Sequence, residues 1–455
     1  MQSVEAIDIA QLLERQRMGS FQFMVIALVC VMTFVEGYDM QVMAFAAPGI
    51  IRSWHLNRAS FGPVFGLGLF GYMLGATVLS NLADRLGRRR LIIGGGLLFA
   101  VSTLGAALST DLRQLIALRF VAGIGLGAAV PSAIALAAEY APARARATTV
   151  AVLFTFYNLG STVGGLLAAR LIPTFGWPAV FYVGGLLPLG LCAAFFWVLP
   201  ESLRYLALQR GSNAGIAQIA GRILYPQVVA PGACFVFGEE QRAGVPVIHL
   251  FTGGRALMTV LLWTAFVSSL LGHTFLTSWL PTVLTGEGMS LAHADVSAAL
   301  LQFGGVVITP LMGWLLDRKG IRSLTWAFAL SVPLIVLIGS LHSADILLML
   351  VVFLTGVGIL GGQNGLNALS GTIYPTYIRA TGSGWALGIG RIGSILGPVI
   401  GGVLIGLNQS PERLFFYAAL PFLLCAVLCL FLRPAPTDAA AVESATSLVN
   451  APDPG

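Results

Sequence analysis

The chain alternates between long apolar stretches and short polar breaks, and the stretch lengths set the first expectation. Crossing about 30 Å of hydrocarbon takes a helix of about 20 mostly apolar residues. Twelve stretches meet that length, near 21–47, 60–81, 91–109, 114–139, 148–170, 177–199, 255–284, 292–316, 323–341, 345–371, 380–407 and 412–432. Only one break is long. Residues 21–199 and 255–432 therefore read as two six-helix bundles joined by a linker at 200–254. Residues 1–20 are polar and mixed in charge and show no cleavable signal. Residues 433–455 read as a disordered tail. The predicted class is an all-α integral membrane protein.

The polar breaks repeat. Asp84-Arg85-x-Gly87 recurs as Asp317-Arg318-x-Gly320, an offset of 233 residues. The same offset carries Gly123 and Gly125 onto Gly356 and Gly358, and Pro142, Arg146, Ala147 and Thr148 onto Pro375, Arg379, Ala380 and Thr381. A gap-free offset over about 65 residues marks a duplicated bundle. In an apolar chain that organisation points to a secondary transporter.

Composition supports lipid-facing helices. Apolar residues make up 57% of the 455 and charged residues only 10%, against about a quarter charged in soluble domains. The 55 Gly and 22 Pro would weaken soluble helices, whereas in membranes they permit close helix approach. The net charge of +6 does not indicate nucleic acid, because the basic residues sort by side. With the N-terminus inside, 18 of the 25 Lys and Arg fall on cytoplasmic segments. By the positive-inside rule both termini are cytoplasmic, in a multi-pass protein of the cell (inner) membrane. The five cysteines form no CxxC pair and read as packing residues. Gly123-x-Gly125-x-Gly127 lies inside an apolar span and follows no strand, so it is no dinucleotide loop. There is no Walker loop and no enzyme signature. No cofactor or metal is expected, and the driving force must be an ion gradient or the substrate's own gradient. Nothing in the sequence requires more than a monomer.

Several motifs now carry a resemblance. NLADRLGRRR at 81–90 resembles the loop between spans two and three of the major facilitator superfamily. Arg119-x-x-x-Gly123-x-Gly125 resembles its fourth-span motif, and Pro200-Glu201-Ser202 the segment closing its first half. Within that superfamily, Glu36-Gly37-Tyr38-Asp39 resembles the first-span motif of the aromatic acid:proton symporters. Many members begin that motif with Asp, where this chain has Glu36. Trp279-Leu280-Pro281 and the segment from Ile378 to Gly393 fit the same family. The resemblance implies a major facilitator fold that imports an aromatic carboxylate, hydroxybenzoate-like, with a proton by alternating access. Another organic acid, a sugar-like metabolite or drug export are the alternatives. A non-transporting sensor would need a signalling domain that the linker and tail do not offer.

The candidate site residues follow from burial. Ionisable groups at membrane depth are costly unless paired or hydrated, and so mark function. Glu36 and Asp39 lie three residues apart on one helix face and read as a proton site, alone or shared, or as a structural ion pair. Arg119 lies at a depth similar to that of Asp39, so a bridge between them is expected, structural or gating. Arg391 lies about 17 Å into span eleven, near the midplane where transporters bind substrate. Its planar guanidinium matches a carboxylate. The acids of the second half, Asp295 and Asp317, read as peripheral. Gln363, Asn364 and Asn367 could bond substrate or hold helices together. Tyr38, Tyr157, Trp263, Phe266, Phe303 and Trp385 could stack on a ring or simply pack, and His273 is either a bundle histidine or a proton relay. Asp84, Arg85, Gly87, Arg88, Glu139, Arg146, Asp317, Arg318 and Arg379 read as a cytoplasmic conformational latch, with Asp84 facing the start of span eleven.

Overall fold

The computed structural model describes residues 6–8, 18–79, 82–208, 219, 221, 234–236, 247–252, 254–341, 346–374 and 378–432. The expected tail at 433–455, most of the linker, most of the first twenty residues, and the side chains of Asp84 and Asp317 lie outside the described residues. Among the described residues twelve helices are long and apolar enough to cross a membrane. They are α1 (Ser20–Ser53), α2 (Arg58–Leu79), α3 (Arg88–Ala107), α4 (Leu112–Tyr140), α5 (Ala143–Phe175), α6 (Pro178–Val198), α7 (Ala256–Gly286), α8 (Leu291–Lys319), α9 (Arg322–Ser340), α10 (Ile346–Ile373), α11 (Arg379–Gly406) and α12 (Pro411–Phe431). A short parallel strand pair joins Ala6–Asp8 to Cys234–Val236. Several helices outrun their apolar stretch. α1 continues to Ser53, because backbone hydrogen bonding persists beyond the residues that must face lipid. α2 is compound, a 3₁₀ turn at Arg58–Phe61 leading into helix and then a π-helical turn at Gly75–Leu79.

The duplication governs packing. In the first half α1 packs on α5, α2 and α3 on α4, and α3 on α6. In the second half α7 packs on α11, α8 and α9 on α10, and α9 on α12. Backbone contacts repeat at the same offset. A β-carbon on Gly123 would lie 2.2 Å from the Gly68 carbonyl oxygen, and one on Gly356 1.9 Å from that of Leu301. Likewise Gly160 abuts the Phe34 carbonyl and Gly393 that of Val267. Each pair maps onto its counterpart by 233 residues, so glycine is retained where two helix backbones touch.

The halves meet through α2 against α11, α5 against α8, and α1 against α7. Many of these approaches cluster at the end of the bundle opposite the termini, here called the distal face. There Gly62 lies on Gly402, Gly66 on Val399, Gly286 on Arg58, and Gly165 on Ala299 and the Asp295 backbone. The Phe65 ring meets Trp279 edge-on at 5.4 Å between centroids. On the terminal face Arg85, Leu86, Arg318 and Arg379 are exposed.

Candidate functional site

The centre of the molecule holds two linked polar sets. In the first, α1 presents Asp39 to α4, and Arg119 clamps it with both guanidinium nitrogens, Nη1 to Oδ1 at 2.9 Å and Nη2 to Oδ2 at 2.7 Å. Both residues are buried. This is the bridge expected from their matching depth. It is bidentate, the geometry that best offsets desolvation of both charges.

The second set spans the halves. One turn before Asp39, Glu36 accepts a 2.9 Å hydrogen bond from the Tyr72 hydroxyl of α2. The guanidinium carbon of Arg391 on α11 lies 4.7 Å from the centroid of the Tyr72 ring, within the range of a cation–π contact. Tyr157 of α5 lies within electrostatic reach of Glu36, Asp39 and Arg391. Arg391 is half-buried and forms no ion pair among the described residues, in contrast to Arg119. The site therefore contains one neutralised guanidinium and one available guanidinium, with a carboxyl between them.

Local packing explains the placement. A β-carbon on Gly37 would lie 1.9 Å from the Tyr157 carbonyl oxygen, so α1 and α5 touch backbone to backbone between Glu36 and Asp39. The Ser161 hydroxyl donates to the Gly37 carbonyl at 2.7 Å and fastens the crossing. α2 is held against α4 in the same way through Gly71 and Gly75, with Tyr72 beside them.

The other candidates divide. Tyr38 turns away from the set. Its hydroxyl donates to the Val180 carbonyl of α6 at 2.8 Å and its ring lies beside Gly164 and Gly184, because a position between Glu36 and Asp39 in sequence points to a different face of the helix. Gln363 accepts from Ser269 at 2.6 Å, tying α10 to α7. Asn364 donates to Thr309 of α8 at 2.6 Å, and Asn158 of α5 donates to the same hydroxyl at 3.4 Å. Asn367 Oδ1 and His273 Nδ1 are buried with no hydrogen-bond partner among the described residues. Trp263 stacks on Trp385 at 6.0 Å and Phe303 lies against Phe353.

On the terminal face Arg88 pairs with Glu139 at 2.7 Å, and the Ser202 hydroxyl donates to the same carboxylate at 2.7 Å. Glu201 accepts from the backbone N–H of Arg89 at 3.0 Å and of Ser202 at 2.9 Å. Its carboxylate fills the space beside Gly87, whose φ of +92° suits only glycine. These contacts join the first half to the start of the linker at Glu201 and Ser202. Arg85 is exposed, Arg146 is half-buried, Arg318 lies over the Trp314 ring at 4.5 Å, and Arg379 Nε reaches the Tyr374 carbonyl at 3.4 Å.

Three residues escaped the sequence reading. Tyr72 is a phenol in an apolar span, and its signal was the glycine row at 68, 71 and 75 that marks the face pressed on α4. Glu201 was visible as part of Pro200-Glu201-Ser202 but unassigned. Asp295, expected to be peripheral, is fully buried, because α5 crosses over the first turns of α8.

Intramembrane carboxyl and guanidinium groups at the junction of two duplicated six-helix halves define a membrane transporter. Comparison with known proteins gives the family. The Major Facilitator Superfamily matches residues 29–386, and the chain belongs to it. It is 37% identical over 422 residues to the 4-hydroxybenzoate transporter PcaK of Pseudomonas aeruginosa, covering 92% of this chain and 94% of that protein. It is 36% identical to the gallate transporter of Pseudomonas putida, covering 93% and 94%. It is 32% identical to the 3-(3-hydroxy-phenyl)propionate transporter of Escherichia coli, covering 90% and 93%. Among solved structures, a bacterial homologue of the human lysosomal transporter Spinster, in an inward-facing and occupied conformation, superposes with a TM-score of 0.69 at 15% identity, covering 91% of this chain and 97% of that one. That likeness concerns the fold alone.

Proposed function

We propose that the protein imports an aromatic carboxylate, of the hydroxybenzoate class, together with a proton. The observation that carries this reading is Arg391, a half-buried guanidinium at mid-span that forms no ion pair among the described residues and lies over the ring of the phenol that hydrogen-bonds Glu36. A substrate carboxylate docks on the two parallel N–H groups of Arg391. The Tyr72 and Tyr157 rings flank it. Glu36 carries the proton, since a neutral carboxyl beside an arriving anion avoids like-charge repulsion in a low dielectric. Asp39 and Arg119 form a second element, in which a proton reaching Asp39 releases Arg119. The relatives at 32–37% identity, transporters of 4-hydroxybenzoate, gallate and 3-(3-hydroxy-phenyl)propionate, support the substrate class. The halves rock about this site, so that the distal and terminal faces open in turn. The Arg88–Glu139–Ser202 contacts and Glu201 brace the terminal face during that motion. The distal face is the outer one in the cell (inner) membrane, with both termini cytoplasmic, and the monomer is the working unit.

The test is uptake of labelled 4-hydroxybenzoate into proteoliposomes, with and without an inward proton gradient, beside an Arg391→Ala control. Gradient-stimulated uptake that the control lacks supports the reading. Equal uptake with and without the gradient by folded, oriented protein refutes proton symport, and full uptake by the control refutes the anchor.

A further inference from the structure

One buried acid has no place in this scheme. Asp295 sits in the second turn of α8 with no exposed surface, and neither carboxylate oxygen has a hydrogen-bond partner among the described residues. It lies at the seam between the halves. A β-carbon added to Gly165 of α5 would come within 3.0 Å of the Asp295 carbonyl oxygen, within 2.7 Å of Ala299 and within 3.0 Å of Phe45 of α1. Among the described residues no cation answers it, and it forms no ion pair. Arg52 in the last turn of α1, Arg170 on α5, His293 on α8 and Glu287 after α7 are exposed. Asp39 on α1 is clamped by Arg119, and Glu36 is bonded to Tyr72. Tyr38 bonds α6 and Tyr157 lies in the central set. His273 of α7 is far down that helix from its distal end. Arg144 and Arg146 of α5, Arg318 and Lys319 of α8 and Arg322 of α9 lie at the terminal face, and α10 has no titratable residue. Seven residues on, and so on the same face of α8, Gln302 is also buried, with neither amide atom hydrogen-bonded among the described residues.

An ionised carboxylate with no donor and no counter-charge cannot be held in an apolar seam without a large cost, whereas a neutral carboxyl costs far less. Water reaches this position only when α5 and α8 part. We propose that Asp295 is a proton-sensing gate: it must be neutral for the distal face to close, and it gives up its proton when that face opens. The seam is shut while the terminal face is open, so this proton enters and leaves on the distal side. It sets the pH dependence of closure and adds nothing to the number of protons moved per substrate. The unpartnered Gln302 fits a seam that is wetted in part of the cycle, since a permanently dry seam gains nothing from an amide there.

The gate is tested without substrate, so its outcome is independent of the transport reading. Spin labels at the exposed positions 170 and 293, introduced as Arg170→Cys and His293→Cys with the native cysteines replaced by Ser, report the distance across the distal face in liposomes. Where the group is neutral when buried and ionised when wet, release of one proton lowers the closed-to-open ratio up to tenfold per pH unit. The separated population should therefore grow between about pH 5 and pH 8. Asp295→Asn, which mimics the neutral form, should stay closed across that range, and Asp295→Glu should keep the pH response. A parent with no pH response, or an Asp295→Asn protein with the parent's slope, overturns the proposal.

Discussion

Replacing Asp39 by Asn leaves the Arg119 guanidinium buried opposite a neutral amide. The bridge comprises two charge-assisted bonds of 2.9 and 2.7 Å between side chains that are 9% and 3% exposed. Such bonds contribute about 1.5–3 kcal/mol each, and stripping one member from a buried pair costs about 3–5 kcal/mol. Asp39→Asn and Arg119→Gln should each be destabilised by about that much. The double variant sets two neutral amides face to face, so it should cost much less than the two single losses added together. The coupling energy should be about 2 kcal/mol or more. The assay is detergent-induced unfolding of the four purified proteins, followed by tryptophan fluorescence and compared at one denaturant fraction. The same four proteins assayed for uptake separate folding from transport: the double variant should be folded and inactive. A coupling energy under about 0.5 kcal/mol would refute the claim that these residues act as a pair.

Two further outcomes follow from the geometry. Arg391→Lys keeps the charge but loses the planar pair of N–H groups, so apparent substrate affinity should fall at least about tenfold, about 1.4 kcal/mol, with thermal stability unchanged; equilibrium binding by scintillation proximity reads this directly. Gly37→Ala places a β-carbon 1.9 Å from the Tyr157 carbonyl and must part α1 from α5 at a cost of about 1–3 kcal/mol. Uptake should fall more than tenfold in protein that still elutes as a folded species, and parental uptake would show that the crossing does not position Glu36 and Asp39.

Depth along a helix was legible in the sequence, and facing was not. The apolar stretches located all twelve helices, and a 1.5 Å rise per residue put Asp39 opposite Arg119. The 233-residue repeat extends to which glycine meets which carbonyl, as in Gly123 on Gly68 and Gly356 on Leu301. By contrast, the rotation of each helix depends on all its neighbours at once. Tyr38 lies between the two acids in sequence yet faces α6, and Tyr72 was overlooked although its hydroxyl holds Glu36. Asp295 lies close to a helix end, which in sequence reads as surface; the crossing of α5 over α8, a contact between residues about 130 apart in sequence, is what buries it. Glycine rows come nearest to revealing facing, because they mark the side on which a neighbouring backbone must fit.

The central claim is that the carboxylate at Arg391 and the proton at Glu36 move together. The most direct measurement is substrate-driven acidification of proteoliposomes holding a trapped pH indicator, with no gradient imposed. Adding 4-hydroxybenzoate outside should acidify the lumen with parent protein. With Glu36→Gln, labelled substrate should still exchange in counterflow while the lumen pH stays constant. Acidification undiminished in Glu36→Gln, or substrate entry into parent vesicles with no pH change, would contradict the account.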